Sequence, residues 1–284
     1  WNNNTWEQLG KSINNETTDG QNIHSISLNS NGNIVAIGRV DLNTNIGKVR
    51  VYKWNNLTWN QIGGNDELNS KINNDSFGYS LSLSNNGETL AIGAIYDDTN
   101  TGKVYVYKWN NNTWEQLGKS IFGKKIGDRF GWSISLNKSN ESNIDGTVVA
   151  VGAPMNDESL GNVSIYKYLN DSWNQVTSIF GDISGDQCGH SVSLNSDGSV
   201  IAIGYPSIYN NTTNPGHVCI YENKNNLWEK NVTISGDSNG KQFGYSVALS
   251  NDGKIVAIGE PFRNNGHISI YCLLYTSDAA DERN

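Results

Sequence analysis

An all-β fold of stacked four-stranded antiparallel sheets is what this sequence predicts, on three observations. The first is composition: 30 Gly, 13 Tyr, 9 Trp and a single Met in 284 residues, with abundant Asn. Asn serves helix interiors poorly and turns of positive φ well, so aromatic and β-branched runs bounded by Asn and Gly read as many short strands. The second is a five-fold recurrence. An A-[IV]-G signature ends at Gly38, Gly93, Gly152, Gly204 and Gly259, spacings of 55, 59, 52 and 55 residues, and each copy precedes a [VI]-x-[VI]-Y run ending at Tyr52, Tyr107, Tyr166, Tyr221 and Tyr271. The third is alternation within each copy, the period of a strand with two unlike faces.

One unit shows the plan. In Phe77 to Ser84, Tyr79, Leu81 and Leu83 alternate with Ser80, Ser82 and Ser84, a half-buried strand. Asn85-Asn86-Gly87 reads as a tight hairpin turn. Glu88 to Ala94 is apolar or small, as in a strand covered on both faces. A polar loop leads to a third strand, Lys103 to Trp109, and an Asn-rich hairpin to an outer one, Thr113 to Gly118. A single such sheet cannot bury both faces, so the units must stack, and radial stacking makes a β-propeller. A linear solenoid fits less well, because its coils are shorter than propeller blades of about 40–50 residues.

The units centre on residues 22–63, 75–118, 128–177, 186–232 and 241–271, one propeller region over 1–271. The segment Trp1 to Ile13 repeats Trp109 to Ile121 letter for letter. It reads as the end of a preceding unit, or alternatively as the outer strand that completes the last. Cys272 to Glu282 resembles the translation of a sequencing adapter, so 272–284 is set aside as a non-native tail.

FGYSLSLSNNGETLAIGA (from Phe77), FGWSISLNKSNESNIDGTVVAVGAP (from Phe130) and FGYSVALSNDGKIVAIGEP (from Phe243) resemble FG-GAP repeats, the blade units of integrin α-subunit N-terminal propellers and their microbial and protist relatives. The resemblance implies an open arc cut from a larger, seven-bladed ring, an extracellular or cell-surface setting, and a role in adhesion. It also implies a calcium loop, D-x-D-x-D-G-x-x-x-D, between the first two strands. Here that loop is degenerate. Asp197 and Asp252 stand alone in theirs and Asp145 has only Glu141 for company, so these three are weak metal candidates and no cofactor is assigned. An acid before a Gly otherwise simply makes the turn.

Other recurrent residues read as scaffold. Asp75, Asp128 and Asp186 each precede the Phe position by two and suit an Asx-turn. His24 and His190 occupy the aromatic slot of Tyr79, Trp132 and Tyr245, while His217 and His267 occupy the position of Lys48, Lys103 and Asn162. Cys188 and Cys219 are expected as free thiols, the first in the packing between blades and the second facing away from Val218 and Ile220. Trp6, Trp59, Trp114, Trp173 and Trp228 suit either a pyranose platform or an aromatic pair across the outer hairpin, and the hairpin is favoured.

The variable segments are the loops from second to third strand, which differ in length and content on a constant frame and share one face of a propeller. Arg39, Asp41, Tyr96, Asp97, Asp98, Met155, Asp157, Glu158, Tyr205, Tyr209, Phe262 and Arg263 are therefore the candidate ligand contacts. The function expected is a non-enzymatic module binding a protein or glycan. The alternatives are a polysaccharide hydrolase or lyase, with acids such as Asp97 and Asp157 about 5 to 9.5 Å apart, and a structural segment of a larger surface protein. A formal charge of −8 opposes nucleic acid, no apolar run approaches the roughly 20 residues of a membrane helix, and the N-x-S/T sequons Asn56, Asn162 and Asn231 are compatible with secretion.

Overall fold

The computed structural model describes residues 5–14, 22–41, 44–63, 68–69, 74–96, 100–208, 214–263 and 265–273. Five antiparallel sheets follow one another along the chain. Blade 1 is formed by Asn22–Leu28, Ile34–Asp41, Ile46–Trp54 and Trp59–Ile62, with Leu68–Asn69 also pairing with the third strand. Blade 2 comprises Phe77–Leu83, Thr89–Ala94, Lys103–Trp109 and an outer strand in two pieces, Trp114–Gln116 and Ile121–Phe122. Blade 3 uses Ser133–Leu136, Val148–Ala153, Asn162–Leu169 and Ser172–Phe180, and blade 4 Ser191–Leu194, Val200–Tyr205, His217–Lys224 and Leu227–Ser235. In blade 5 the described strands are Ser246–Leu249, Ile255–Glu260 and His267–Cys272, the last entering the segment set aside as a tail.

The outer strands of blades 3 and 4 run three residues past the limits drawn from sequence, to Phe180 and Ser235. A register shift opposite Ile165/Tyr166, and again opposite Ile220/Tyr221, inserts one extra residue and lets the strand bend on alongside its partner. The only α-helix among the described residues is one turn, Asn156–Ser159, in the variable loop of blade 3.

Blades stack through apolar faces. The second and third strands of blade 1 (Ile34, Ala36, Val49, Val51) pack on Phe77, Leu83, Leu90 and Ile92 of blade 2, and equivalent clusters fill the later boundaries. Both faces of the second strand are thus buried in blades 1 to 4, as its unbroken apolar run requires, while in blade 5 the face of Ile255 is open. The serines of the first strand are not a solvent face. Ser25, Ser80, Ser133 and Ser191 donate to the carbonyls of Gly78, Gly131, Gly189 and Gly244 in the next blade, at 2.6–2.9 Å. Ser27, Ser82, Ser135 and Ser193 accept from the N–H groups of Leu83, Leu136, Leu194 and Leu249. Two hydrogen bonds per boundary therefore fix the register of neighbouring first strands around the axis.

In blades 1, 2, 4 and 5 the hairpin after the first strand is a four-residue connection rather than a two-residue turn, and in blade 3 it is ten residues long, between Asn137 and Val148. Ser84 pairs with Thr89 and accepts on Oγ from the Thr89 N–H, and Asn29, Asn137, Asn195 and Ser250 do the same in their blades. The side chain closes a loop that would otherwise lack an acceptor. Two-residue turns occur instead in the outer hairpins of blades 3 and 4, where Asn170 and Asp171, and Asn225 and Asn226, all have positive φ.

The N-terminal segment lies against blade 1. Ile13 packs with Val35, Ile37 and Tyr52, and the Trp59 indole donates to the Leu9 carbonyl at 2.9 Å. Trp173 makes the same bond to Leu117 of blade 2. Leu9 thus occupies toward blade 1 the place that Leu117 of blade 2 occupies toward blade 3.

Candidate functional site

Since the first strands of adjacent blades are neighbours, their aromatic slots form an arc around the axis. His24 and Tyr79 rings lie 4.1 Å apart, Tyr79 and Trp132 5.1 Å, Trp132 and His190 5.6 Å, and His190 and Tyr245 4.5 Å. His24 and Tyr79 are the third residues of their strands, and Trp132, His190 and Tyr245 immediately precede theirs, all at the end that carries the variable loops. Sequence alignment of the copies found these positions but not their mutual contact, which only radial stacking creates.

Arg129 joins this arc to a variable loop. Its guanidinium carbon lies 5.3 Å from the Tyr96 ring centroid and 5.8 Å from that of Trp132. Arg129 has φ of 54°, and Ser76, Gln187 and Gln242 at the same repeat position have 53°, 59° and 59°. The backbone thus takes a left-handed residue before each Phe or Cys, and in blade 3 this aims a cation at the inner rim. Sequence reasoning missed Arg129, because nothing in the repeat pattern signals this orientation.

Burial pushes the Tyr79 hydroxyl well above its ordinary range and depresses the His190 imidazole to about 4. His190 is therefore neutral at pH 7. Below the unfolded value near 6.5 only the unfolded chain gains the proton, so stability is lost as pH falls from 6.5 towards 4 and the loss levels off below. The penalty is about 3 kcal/mol from the span of the two values. Denaturant titrations at pH 7 and pH 4.5 on the parent and His190→Tyr, the residue other blades hold there, check it. The variant is expected to lose less stability on acidification, and equal losses would refute the assignment.

The candidate contacts do not form one patch. Arg39 and Tyr205 are buried, at 2% and 3% exposure, so neither meets a partner. The first residue after A-[IV]-G belongs to the strand rather than to the loop: Arg39 reaches the Asn14 carbonyl and Tyr205 stacks on His217 at 4.4 Å. Asp41 accepts from the Thr44 hydroxyl, Phe262 is 60% exposed, and Arg263 pairs with Asp237 at 2.7 Å and Glu260 at 3.3 Å. Met155 and Tyr96 are half-buried. Asp97, Asp98 and Tyr209 lie outside the described residues; Asp157 and Glu158 fall in the helical turn, and their side chains are not described.

The acids are structural. Asp75 accepts from the Phe77 N–H and lies 3.9 Å from the Lys103 ammonium, both buried. Asp128 accepts from the Lys125 N–H and Asn156 Nδ2, and Asp186 from Ser207 Oγ and Asn214 Nδ2, so only Asp75 makes the expected Asx-turn and the other two tie variable loops to the frame. Asp145 accepts from the N–H groups of Asn85 and Asn86 in blade 2. Asp197 and Asp252 accept from Ser199 and Ser250 within their own turns, which holds both below the usual carboxylate range. No cluster of three or more potential metal ligands occurs among the described residues. Cys188 and Cys219 are free, Cys188 packing between blades 3 and 4 and Cys219 facing that boundary while Val218 and Ile220 face the next. They share one cluster with Tyr205, because both faces of every inner strand are apolar boundaries.

Residues 72–107 match the FG-GAP repeat. No curated protein matches the sequence. Among solved structures the fold resembles hydrazine synthase of Kuenenia stuttgartiensis, at 11% identity and TM-score 0.58 over 87% of this chain and 70% of that one. Sqt1 of Chaetomium thermophilum is similar at 18% identity and TM-score 0.55, over 91% of this chain and 59% of that one. A second Sqt1 structure, bound to the N-terminus of ribosomal protein L10, gives 18% and 0.57, over 90% and 62%. At these identities the likeness is one of fold, and the chain spans about three fifths of the Sqt1 structures.

Proposed function

We propose that this chain, a β-propeller carrying an FG-GAP repeat, is a non-enzymatic binding module that engages a protein or glycan through its variable-loop end, in an adhesive role at the cell surface. The observation that carries the reading is the contrast between the two ends. The loops from second to third strand differ in length and content, whereas the opposite hairpins repeat one side-chain-closed design. A rigid frame with one variable rim is how scaffolds present recognition loops. At that rim Tyr96, Arg129 and Trp132 offer a cation held between two aromatic faces, and Tyr245 and Phe262 add exposed rings. Such groups dominate binding energy where they are desolvated by a partner. The solved Sqt1 structure holds a protein N-terminus on a propeller of similar fold, which supports a peptide as one class of partner. The exposed sequons at Asn56 and Asn231 are compatible with an extracellular setting.

A glycan array and calcium calorimetry on residues 1–271 test the reading. Saturable glycan binding is expected to fall at least about tenfold in Tyr96→Ala and Phe262→Ala, and to be unchanged in Leu57→Ala, an exposed residue at the opposite end. Binding lost only in Leu57→Ala would overturn it, and tight calcium binding would overturn the structural assignment of Asp145, Asp197 and Asp252. A silent array removes glycans and leaves the protein class.

A further inference from the structure

One corner of the repeat is filled differently in each inner blade. It lies at the loop end, between the residue after A-[IV]-G, the first and third residues of the third strand, and the recurrent Asp. In blade 2 these are Ala94, Lys103, Tyr105 and Asp75. The buried Lys103 ammonium fills the space, 3.9 Å from an Asp75 oxygen and 5.5 Å from the Tyr105 ring centroid. In blade 4 the corresponding residues are Tyr205, His217, Cys219 and Asp186, and the Tyr205 ring fills it, stacked on His217. Blade 3 has Ala153, Asn162, Ser164 and Asp128. Asn162 and Asp128 of that corner border a cavity of about 220 Å³, whose walls also include Phe122, Phe130, Asn156 and Tyr166.

The polar atoms of this cavity are acceptors. Asp128 is buried, and each of its oxygens receives one donor, from the Lys125 N–H at 3.0 Å and Asn156 Nδ2 at 2.9 Å, leaving further lone pairs. Because the Asn156 amide nitrogen already donates to Asp128, its oxygen is fixed as the outward atom. That oxygen and Asn162 Oδ1 are buried without a hydrogen-bond partner, in residues 3% and 7% exposed. Buried acceptors left unpaired are costly, so they mark a place made for donors. A buried carboxylate, two amide oxygens and aromatic walls together suit a group with three donors, positive charge and an apolar stem. Lys124 and Lys125 also line the mouth, but both residues are exposed and their charge is screened by solvent.

We propose that the blade 3 cavity binds a primary ammonium group, either a lysine side chain of a partner protein or a free amine. The ligand supplies there what Lys103 supplies within blade 2. This deepens the loop-end reading and rests on it. Free-amine probes test the cavity alone, while the rim variants test the face, so either can fail without the other.

The probes are Nα-acetyl-lysine methylamide, its Nε-acetylated form and methylammonium, titrated calorimetrically into the whole chain. Saturable binding of the lysine derivative is expected, with at least about tenfold weaker binding of the acetylated form, which keeps the stem and loses the charge. Asn162→Lys, which rebuilds the internal pair of blade 2 and so preserves the fold, is expected to abolish binding. Asp128→Asn is expected to weaken it by a similar factor. Tighter binding of the lysine derivative than of methylammonium assigns the site to side chains; equal binding assigns it to small amines. Absence of saturable binding, undiminished binding in Asn162→Lys, or equal binding of the acetylated probe would each overturn the proposal.

Discussion

Gly152→Ala lowers stability by about 3 kcal/mol or more, the upper range for forcing extra volume into a packed interior. A Cβ on Gly152 would stand 2.0 Å from the Gly189 carbonyl oxygen of blade 4 and 2.3 Å from Ser133 Oγ. The first is backbone and cannot rotate away. The second is the hydroxyl that donates to that same carbonyl at 2.8 Å, so making room also breaks the boundary's hydrogen bond. Stacked repeats are stabilised by nearest-neighbour interfaces, and weakening the junction of blades 3 and 4 is expected to split the thermal transition as well as lower it. Gly259 is the control. It holds the same repeat position, but the nearest atom to its added Cβ is Ser246 Oγ of its own blade, a rotatable side chain. Gly259→Ala is expected to cost less than about 1 kcal/mol, within the usual range for a site that can yield. Equal losses in thermal melts of the two variants would show that the glycine serves its own strand rather than the next blade.

That comparison also shows how much of the fold could be read from residue order. Five A-[IV]-G copies and an apolar second strand determine that blades must be covered on both sides, and the sheets, their order and their stacking follow. The serines opposite were misread because period-2 alternation reports two unlike faces without saying what lies on either. Ser80 and Ser82 are polar because they bond the next blade, and not because they meet water. The site was legible to a lesser degree. Loop variability marks an end of the molecule, but burial of Arg39 and Tyr205 depends on a strand running one residue past the signature. The aromatic arc and the blade 3 cavity depend on which side chains meet across blades and which corner each fills. A list of positions becomes a site only once the register of five sheets is known.

Trp173→Ala is expected to lower stability by about 2–3 kcal/mol, somewhat below the usual range for a fully buried Trp because the residue is half-buried. Its ring pairs with Tyr168 across the hairpin at 5.2 Å, packs against the cluster at the boundary of blades 2 and 3, and donates to the Leu117 carbonyl at 2.9 Å. Trp54 with Trp59 and Trp109 with Trp114 repeat the pair at 5.5 and 5.4 Å. An aromatic that closes its own hairpin and bonds the preceding blade has one face committed on each side, which leaves little of a platform for a sugar ring. Trp6 is the discriminating control, since it belongs to the same motif and is 87% exposed. Trp6→Ala is expected to change stability by no more than about 0.5 kcal/mol, as an exposed substitution does. If Trp173→Ala instead leaves the melting transition in place and abolishes binding to a glycan, the outer hairpin is a recognition surface, and the loop end is not the face at which this propeller works.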